Sequence, residues 1–227
     1  MEKSDVIRKI SEVGIVPVVR ADSPEMAARA VAAIQEGGVP ILEITMTVPG
    51  AVRLIEALSS KVSKDVLLGA GTVLDAETAR ACILAGARFV VSPALHPGTI
   101  ECCRRYGIVV MPGALTPTEV VAAWSAGADF VKVFPCGAVG GASYIKSLKA
   151  PLPQIPLVPT GGVSLKTAAD FIKAGSAALG VGADLVDIAA LREGKDSVVT
   201  ERARQFVQIV REARSAAAAP VAAVTAN

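Results

Sequence analysis

Along most of the chain the apolar residues come in short unbroken runs, not in strict alternation. IVPVV, ILEIT, VLLGAG, RFVVS, IVVM, FVKVF, LVPT and AALGV follow one another from residue 15 to residue 181. A strand buried on both faces reads this way, because neither face needs a polar set. The runs predict strands over 14–20, 39–46, 66–71, 88–92, 108–111, 130–134, 157–160 and 177–181. Helix-like segments follow each of them, over 24–36, 50–60, 76–85, 98–106, 117–126, 142–149, 165–174 and about 198–214. Several open on start signals, such as Ser23 before Pro24 and Thr116 before Pro117. Gly38, Gly86, Gly107, Gly127 and Gly175 each stand between a helix-like run and a β-rich run. A glycine there accepts the left-handed conformation that ends a helix.

Eight such βα units predict a single α/β domain over 1–214, a (β/α)8 TIM barrel. A short N-terminal helix over 4–12 is expected to cover one barrel end. A doubly wound open sheet is the runner-up, but it lacks a GxGxxG after the first strand. The tail from Ser215, SAAAAPVAAVTAN, is of low complexity, so 215–227 is expected to be disordered.

Composition narrows the function. Hydrophobic residues are 52% of the 227, charged residues 19%, and the net charge is +2 with no basic block. Nothing here favours nucleic acid or an anionic membrane. The longest uncharged run, 150–165, holds four prolines and is no membrane helix. The charged N-terminus lacks the apolar core of a signal peptide. Four cysteines without CxxC spacing and one histidine, His96, make a poor zinc set. His96 is expected in a loop and Cys136 in packing. A cytoplasmic protein follows, with reduced thiols.

The chemistry gathers where strands end. In a barrel those C-terminal ends converge on one mouth. Arg20 ends the first strand, Glu43 sits within the second, Thr72 follows the third, Lys132 lies in the sixth and Thr160 ends the seventh. If Lys132 points inward, so do Phe130 and Phe134. The two rings are expected to keep its amine uncharged. Glu43 and Lys132 are four strands apart and would face each other across the barrel. Two readings stand: a structural ion pair, or a nucleophilic amine served by an acid/base carboxyl. TGGVS, 160–164, offers bare amides before a helix expected near Leu165, an anion site, with Gly180 to Ala183 as its other half.

IVPVVRADSPE, LEITMTVPGA, GAGTVL, VSPALHP, MPGALTPTE, VKVFP and PLPQIPLVPTGGVS occur in this order. Together they resemble the 2-keto-3-deoxy-6-phosphogluconate aldolase family, which also handles 4-hydroxy-2-oxoglutarate. The likeness runs from about residue 5 to 213. It implies a class I, Schiff-base aldolase that uses neither metal nor cofactor and assembles as a homotrimer. It implies Lys132 as the Schiff-base lysine and Glu43 as acid/base. Arg20 and Thr72 hold the substrate carboxylate, and Thr160, Pro93 and Phe134 line the hydroxyl and keto region. Gly161, Gly162, Gly182 and Ala183 bind the phosphate of a keto acid sugar phosphate. Three positions depart from relatives: Thr47 where some carry arginine, Ala183 where some carry serine, and Ala94 where glycine is usual. These bear on substrate preference more than on the reaction. The competing readings are a sugar-phosphate isomerase or epimerase, a non-catalytic sugar-phosphate binder, and an aldolase whose main substrate is the galactonate-derived epimer.

Overall fold

Local capping chemistry fixes where several strands hand over to their helices. Ser23 accepts the Met26 N–H at 3.2 Å, and α2 runs Pro24–Glu36. Thr116 and Glu119 form a reciprocal capping box at the start of α6, Pro117–Ser125. Asp75 accepts the Thr78 N–H at 2.6 Å and opens α4, Ala76–Leu84. Each cap satisfies amides that the first helical turn leaves bare. The five glycines between helix and strand all take positive φ, from 66° to 107°.

The computed structural model describes residues 1–218. The strands are β1 Ile15–Val19, β2 Ile41–Thr45, β3 Leu67–Gly71, β4 Phe89–Val91, β5 Val109–Met111, β6 Gly113–Ala114, β7 Val131–Val133, β8 Leu157–Pro159 and β9 Leu179–Val181. All pair in parallel, as their two-faced burial requires. The remaining helices are α1 Lys3–Val13, α3 Ala51–Ser59, α5 Pro97–Arg105, α7 Ala142–Lys149, α8 Ala168–Lys173, α9 Ile188–Arg192 and α10 Asp196–Ala218.

The expected eight-strand ladder is interrupted in two places. One sheet has the order β5-β4-β3-β2-β1-β9 and the other β6-β7-β8. Pro112 lies between β5 and β6 and has no N–H to donate, so pairing resumes only at β6, beyond the predicted fifth strand, which ends at Met111. Its carbonyl still accepts the Lys132 N–H at 2.9 Å. Between β8 and β9 the ladder thins to a bridge from Thr160 to Gly180. Two differences concern the last two helices. α9 was not expected, and it starts on the Asp187 cap. α10 continues past Ser215 to Ala218, while the rest of the Ala-rich tail lies outside the described residues. Among the described residues no helix is long and apolar enough to cross a membrane.

The N-terminal helix lies over the start of the strands, as expected. Val6 and Ile10 are buried. Lys3 pairs with Asp129 at 2.9 Å, just before β7, and Lys9 donates to the Asp65 carbonyl, just before β3. Arg214 from α10 donates to the carbonyls of Glu12 at 2.6 Å and Ala177 at 3.0 Å. The base of the scaffold is therefore tied by named polar contacts, which leaves the opposite end for chemistry.

Candidate active site

Parity along the parallel strands sets which side chains share an interior. Glu43 lies beside Val18 and Gly69, and Lys132 beside Gly113 and Val158. Both are almost fully buried, at 2% and 4% exposure. Room for the Glu43 carboxyl comes from Gly71, where a Cβ would stand 1.9 Å from Oε1. Likewise a Cβ on Gly113 would lie 2.2 Å from the Pro93 carbonyl, so Pro93 closes against the strand next to Lys132. A Cβ on Gly180 would lie 2.1 Å from the Thr160 hydroxyl. Glycines on neighbouring strands thus make the spaces that the polar side chains fill.

Glu43 and Lys132 are not a structural ion pair. Among the described residues neither takes part in a salt bridge within 4.0 Å. Glu43 Oε1 is buried without a hydrogen-bond partner. Burial pushes the Glu43 carboxyl above the ordinary carboxylate range, against the pull of the nearby Lys132 and Arg20 charges. Arg20 stands exposed at the exit of β1. The backbone beside it is fixed from β2, where Thr45 donates to the Val19 carbonyl at 3.1 Å and meets the Thr47 hydroxyl at 2.6 Å.

Phe134 corrects one expectation. The Lys132 Nζ lies 5.3 Å from the centroid of its ring. A ring face attracts a cation, so Phe134 does not act only as a drying neighbour. Thr72 adds a feature the sequence did not reveal. It alone among non-glycine described residues has positive φ, 59°. A β-branched residue there is a true outlier, and such strain gathers at functional sites.

The anion site also changes in kind. The helix expected near Leu165 begins at Ala168 and is short, so its end does not adjoin Gly161. The bare amides belong to a loop instead. Gly161 and Gly162 take φ of 84° and 79°. The Gly161 carbonyl accepts from Gly137 and the Gly162 carbonyl from Thr167, each at 2.9 Å. Among the described residues the N–H groups of Gly162, Gly182 and Ala183 find no backbone acceptor in the loops. The Thr160–Gly180 bridge sets the two loops side by side.

The remaining candidates are structural. His96 caps α5 by accepting the Thr99 N–H at 3.1 Å. Cys136 is buried, its thiol pushed up to about 11 by desolvation, and its Sγ faces the Gly141 carbonyl at 3.6 Å.

A parallel α/β scaffold that brings a buried lysine, a buried carboxyl and loops of open amides to one end defines an enzyme for small anionic substrates. The chain matches the family model described as "KDPG and KHG aldolase" over residues 6–202. It is 33% identical over 205 residues to the 2-dehydro-3-deoxy-phosphogluconate aldolase of Treponema pallidum, covering 90% of this chain and 97% of that one. It is 36% identical over 201 residues to the 2-dehydro-3-deoxy-6-phosphogalactonate aldolase of Escherichia coli, covering 88% and 95%. Among solved structures, a KDPG aldolase from Legionella pneumophila, with pyruvate captured as a covalent carbinolamine, superposes with a TM-score of 0.82 at 27% identity, covering 88% and 97%. The chain belongs to the KDPG and KHG aldolase family. It is an aldolase, a carbon–carbon lyase.

Proposed function

We propose that this aldolase cleaves 2-keto-3-deoxy-6-phosphogluconate to pyruvate and glyceraldehyde 3-phosphate through a Schiff base on Lys132. The observation that carries the reading is a buried lysine and a buried, unpaired carboxyl on one interior face. The Lys132 amine adds to the keto carbon and forms a carbinolamine. The captured intermediate of the Legionella relative is of this kind. A proton from Glu43 lets water leave, and a protonated imine remains. Burial favours the protonated form of Glu43, which suits it to donate here. The Phe134 ring face, within reach of Nζ, stabilises the cationic imine.

Cleavage then follows from charge. Glu43, now a carboxylate, takes the proton of the carbon-4 hydroxyl. The electrons of the bond between carbons 3 and 4 move into the imine, and glyceraldehyde 3-phosphate departs. Protonation of the enamine at carbon 3 and hydrolysis release pyruvate and restore Lys132. Arg20 and Thr72 hold the carboxylate, and Thr160 and Pro93 border the reacting carbons. Gly161, Gly162, Gly182 and Ala183 receive the phosphate on their amides. 4-Hydroxy-2-oxoglutarate shares the pyruvate half and is cleaved by the same steps.

Borohydride reduction in the presence of pyruvate tests the reading. Mass spectrometry should find the adduct on Lys132, and its absence there would overturn the mechanism. The galactonate-derived epimer is the second substrate reading. It is favoured by the Escherichia coli relative and by a native KDPGal structure with a TM-score of 0.82 at 34% identity. kcat/KM for the two epimers decides between them.

Two further points belong to the same reading. The two sheets act as one closed (β/α)8 barrel: Pro112 interrupts a single fifth strand, and the Thr160–Gly180 bridge closes the seam. The assembly is a homotrimer in the cytoplasm. Exposed Leu84, Val121 and Trp124 on α4 and α6 support an interface, and four free cysteines suit a reducing compartment. A solution mass other than three chains would remove the trimer.

A further inference from the structure

The loop after β9 carries half of the proposed phosphate site, yet its own side chains do little to shape it. Gly182 has none, and a Cβ there would meet nothing within 4 Å. Ala183 offers no donor beyond its amide. The shape comes from elsewhere. The Gly182 carbonyl accepts the N–H groups of Leu185 at 3.0 Å and Val186 at 2.9 Å, which turns the chain back at once. Arg202, in the second turn of α10, then grips this turn from behind. Its Nη1 donates to the Asp184 carbonyl at 3.2 Å and, more weakly, to the Ala183 carbonyl at 3.4 Å. Its Nη2 pairs with Asp187 at 3.0 Å. The other Asp187 oxygen accepts the Ala190 N–H at 3.0 Å and caps α9.

In a planar trans peptide the carbonyl of one residue and the N–H of the next point in opposite directions. Holding the Gly182 carbonyl inside the turn therefore turns the Ala183 N–H outward. Holding the Ala183 carbonyl on the guanidinium turns the Asp184 N–H away from Arg202. Among the described residues neither N–H has an acceptor. Both Nη atoms of Arg202 are engaged behind the loop, on the carbonyls and on Asp187.

We propose that Arg202 is a positioning residue for the phosphate of the substrate. It fixes the amides of Ala183 and Asp184 toward an anion, and the inference rests on the aldolase reading above. The shared clamp on Asp187 makes one unit of the loop, the α9 cap and α10. A planar fork with several donors suits this work, and a lysine ammonium does not reproduce it.

The test is a ratio. Arg202→Met keeps the apolar stem and removes the donors, and Arg202→Lys keeps the charge without the fork. For each, kcat/KM is measured with phosphorylated 2-keto-3-deoxy-6-phosphogluconate and with unphosphorylated 4-hydroxy-2-oxoglutarate. In Arg202→Met the ratio of the two should fall about tenfold, carried by KM, which is the worth of a charge-assisted contact. The inhibition constant of inorganic phosphate should rise by a similar factor, and Arg202→Lys should lie between. An unchanged ratio, including one in which both substrates lose equally, overturns the role of Arg202. The pyruvate–borohydride adduct on Lys132 of the parent protein separates the two failures. With the adduct present and the ratio unchanged, only the Arg202 inference falls. With no adduct, the aldolase mechanism falls first.

Discussion

Asp129 and Glu43 are both acids set among buried parallel strands, and the molecule treats them in opposite ways. Asp129, at the foot of β7, is satisfied from two sides, by Lys3 at 2.9 Å and by the Val110 N–H at 2.9 Å. Glu43, toward the other end of the interior, has a buried oxygen with no partner. The same contrast runs through both ends. The base carries the α1 and Arg214 contacts. The mouth carries the Thr72 strain and the open glycine amides. An unsatisfied buried group costs on the order of 1–3 kcal/mol, and so does a strained backbone residue. The base thus supplies stability that the mouth gives up, and what the mouth gains is a carboxyl and an amine not neutralised by each other.

Replacing the exceptional acid should have the largest effect. Glu43→Gln should lower kcat by ~10²–10⁴-fold, the usual worth of general acid–base help. It should also alter stability in a pH-dependent way. The folded carboxyl titrates above its ordinary range. Between the ordinary and the raised value, the folded state holds a proton that the unfolded chain has released. Its stabilising contribution is therefore complete below the ordinary carboxylate range and is lost as pH rises through the folded value. The glutamine variant lacks that slope, so its Tm should gain on the parent as pH rises above the ordinary carboxylate range. A difference constant with pH would show that the carboxyl is not held above its ordinary range.

Gly71→Ala tests position alone, and its effect should be smaller. The added carbon would stand 1.9 Å from Glu43 Oε1 and must displace the carboxyl. Gly71 has ordinary φ, so the backbone tolerates alanine. Misplacing a catalytic group by about 1 Å can cost up to roughly 10²-fold, and kcat should fall toward that limit. The Lys132 adduct with pyruvate should still form. Unchanged kcat would mean that the placement of Glu43 is not set by Gly71.

Much of this was legible in the chain. The unbroken apolar runs gave the strands, and the glycines before them gave the helix ends, because both follow from burial and backbone sterics that act locally. Lys132 and Glu43 stood out because a charge inside an apolar strand has few bland explanations. What was not legible depends on register and on distant partners. That Gly71 faces Glu43 follows from β2–β3 alignment, not from GAGT itself. Arg202 meets Ala183 from 19 residues away, and nothing in RAR marks it. β6 was missed because the predicted fifth strand ends at Met111, where Pro112 breaks the run. The late start of α8 escaped because Thr167, within TGGVSLKT, turns back onto Ser164 and Gly162.

The paired acid gives the gentlest way to break the comparison. Asp129→Ala removes the partner of Lys3 and leaves the Val110 N–H without an acceptor. The loss should be about 2 kcal/mol. In a domain of this size each kcal/mol moves Tm by roughly 2–4 °C. Lys3→Ala removes only the other half of the pair. Its side chain is 30% exposed, and the Val110 N–H keeps its acceptor. That loss should stay below about 1 kcal/mol. Neither variant should change kcat, since both lie at the base and Lys132 is held separately by its N–H to Pro112. Thermal melts and turnover on the same samples check the pair of expectations. If Asp129→Ala lowers kcat while Tm stays at the parent value, the base is part of the chemistry, and the division of labour between the two ends is wrong.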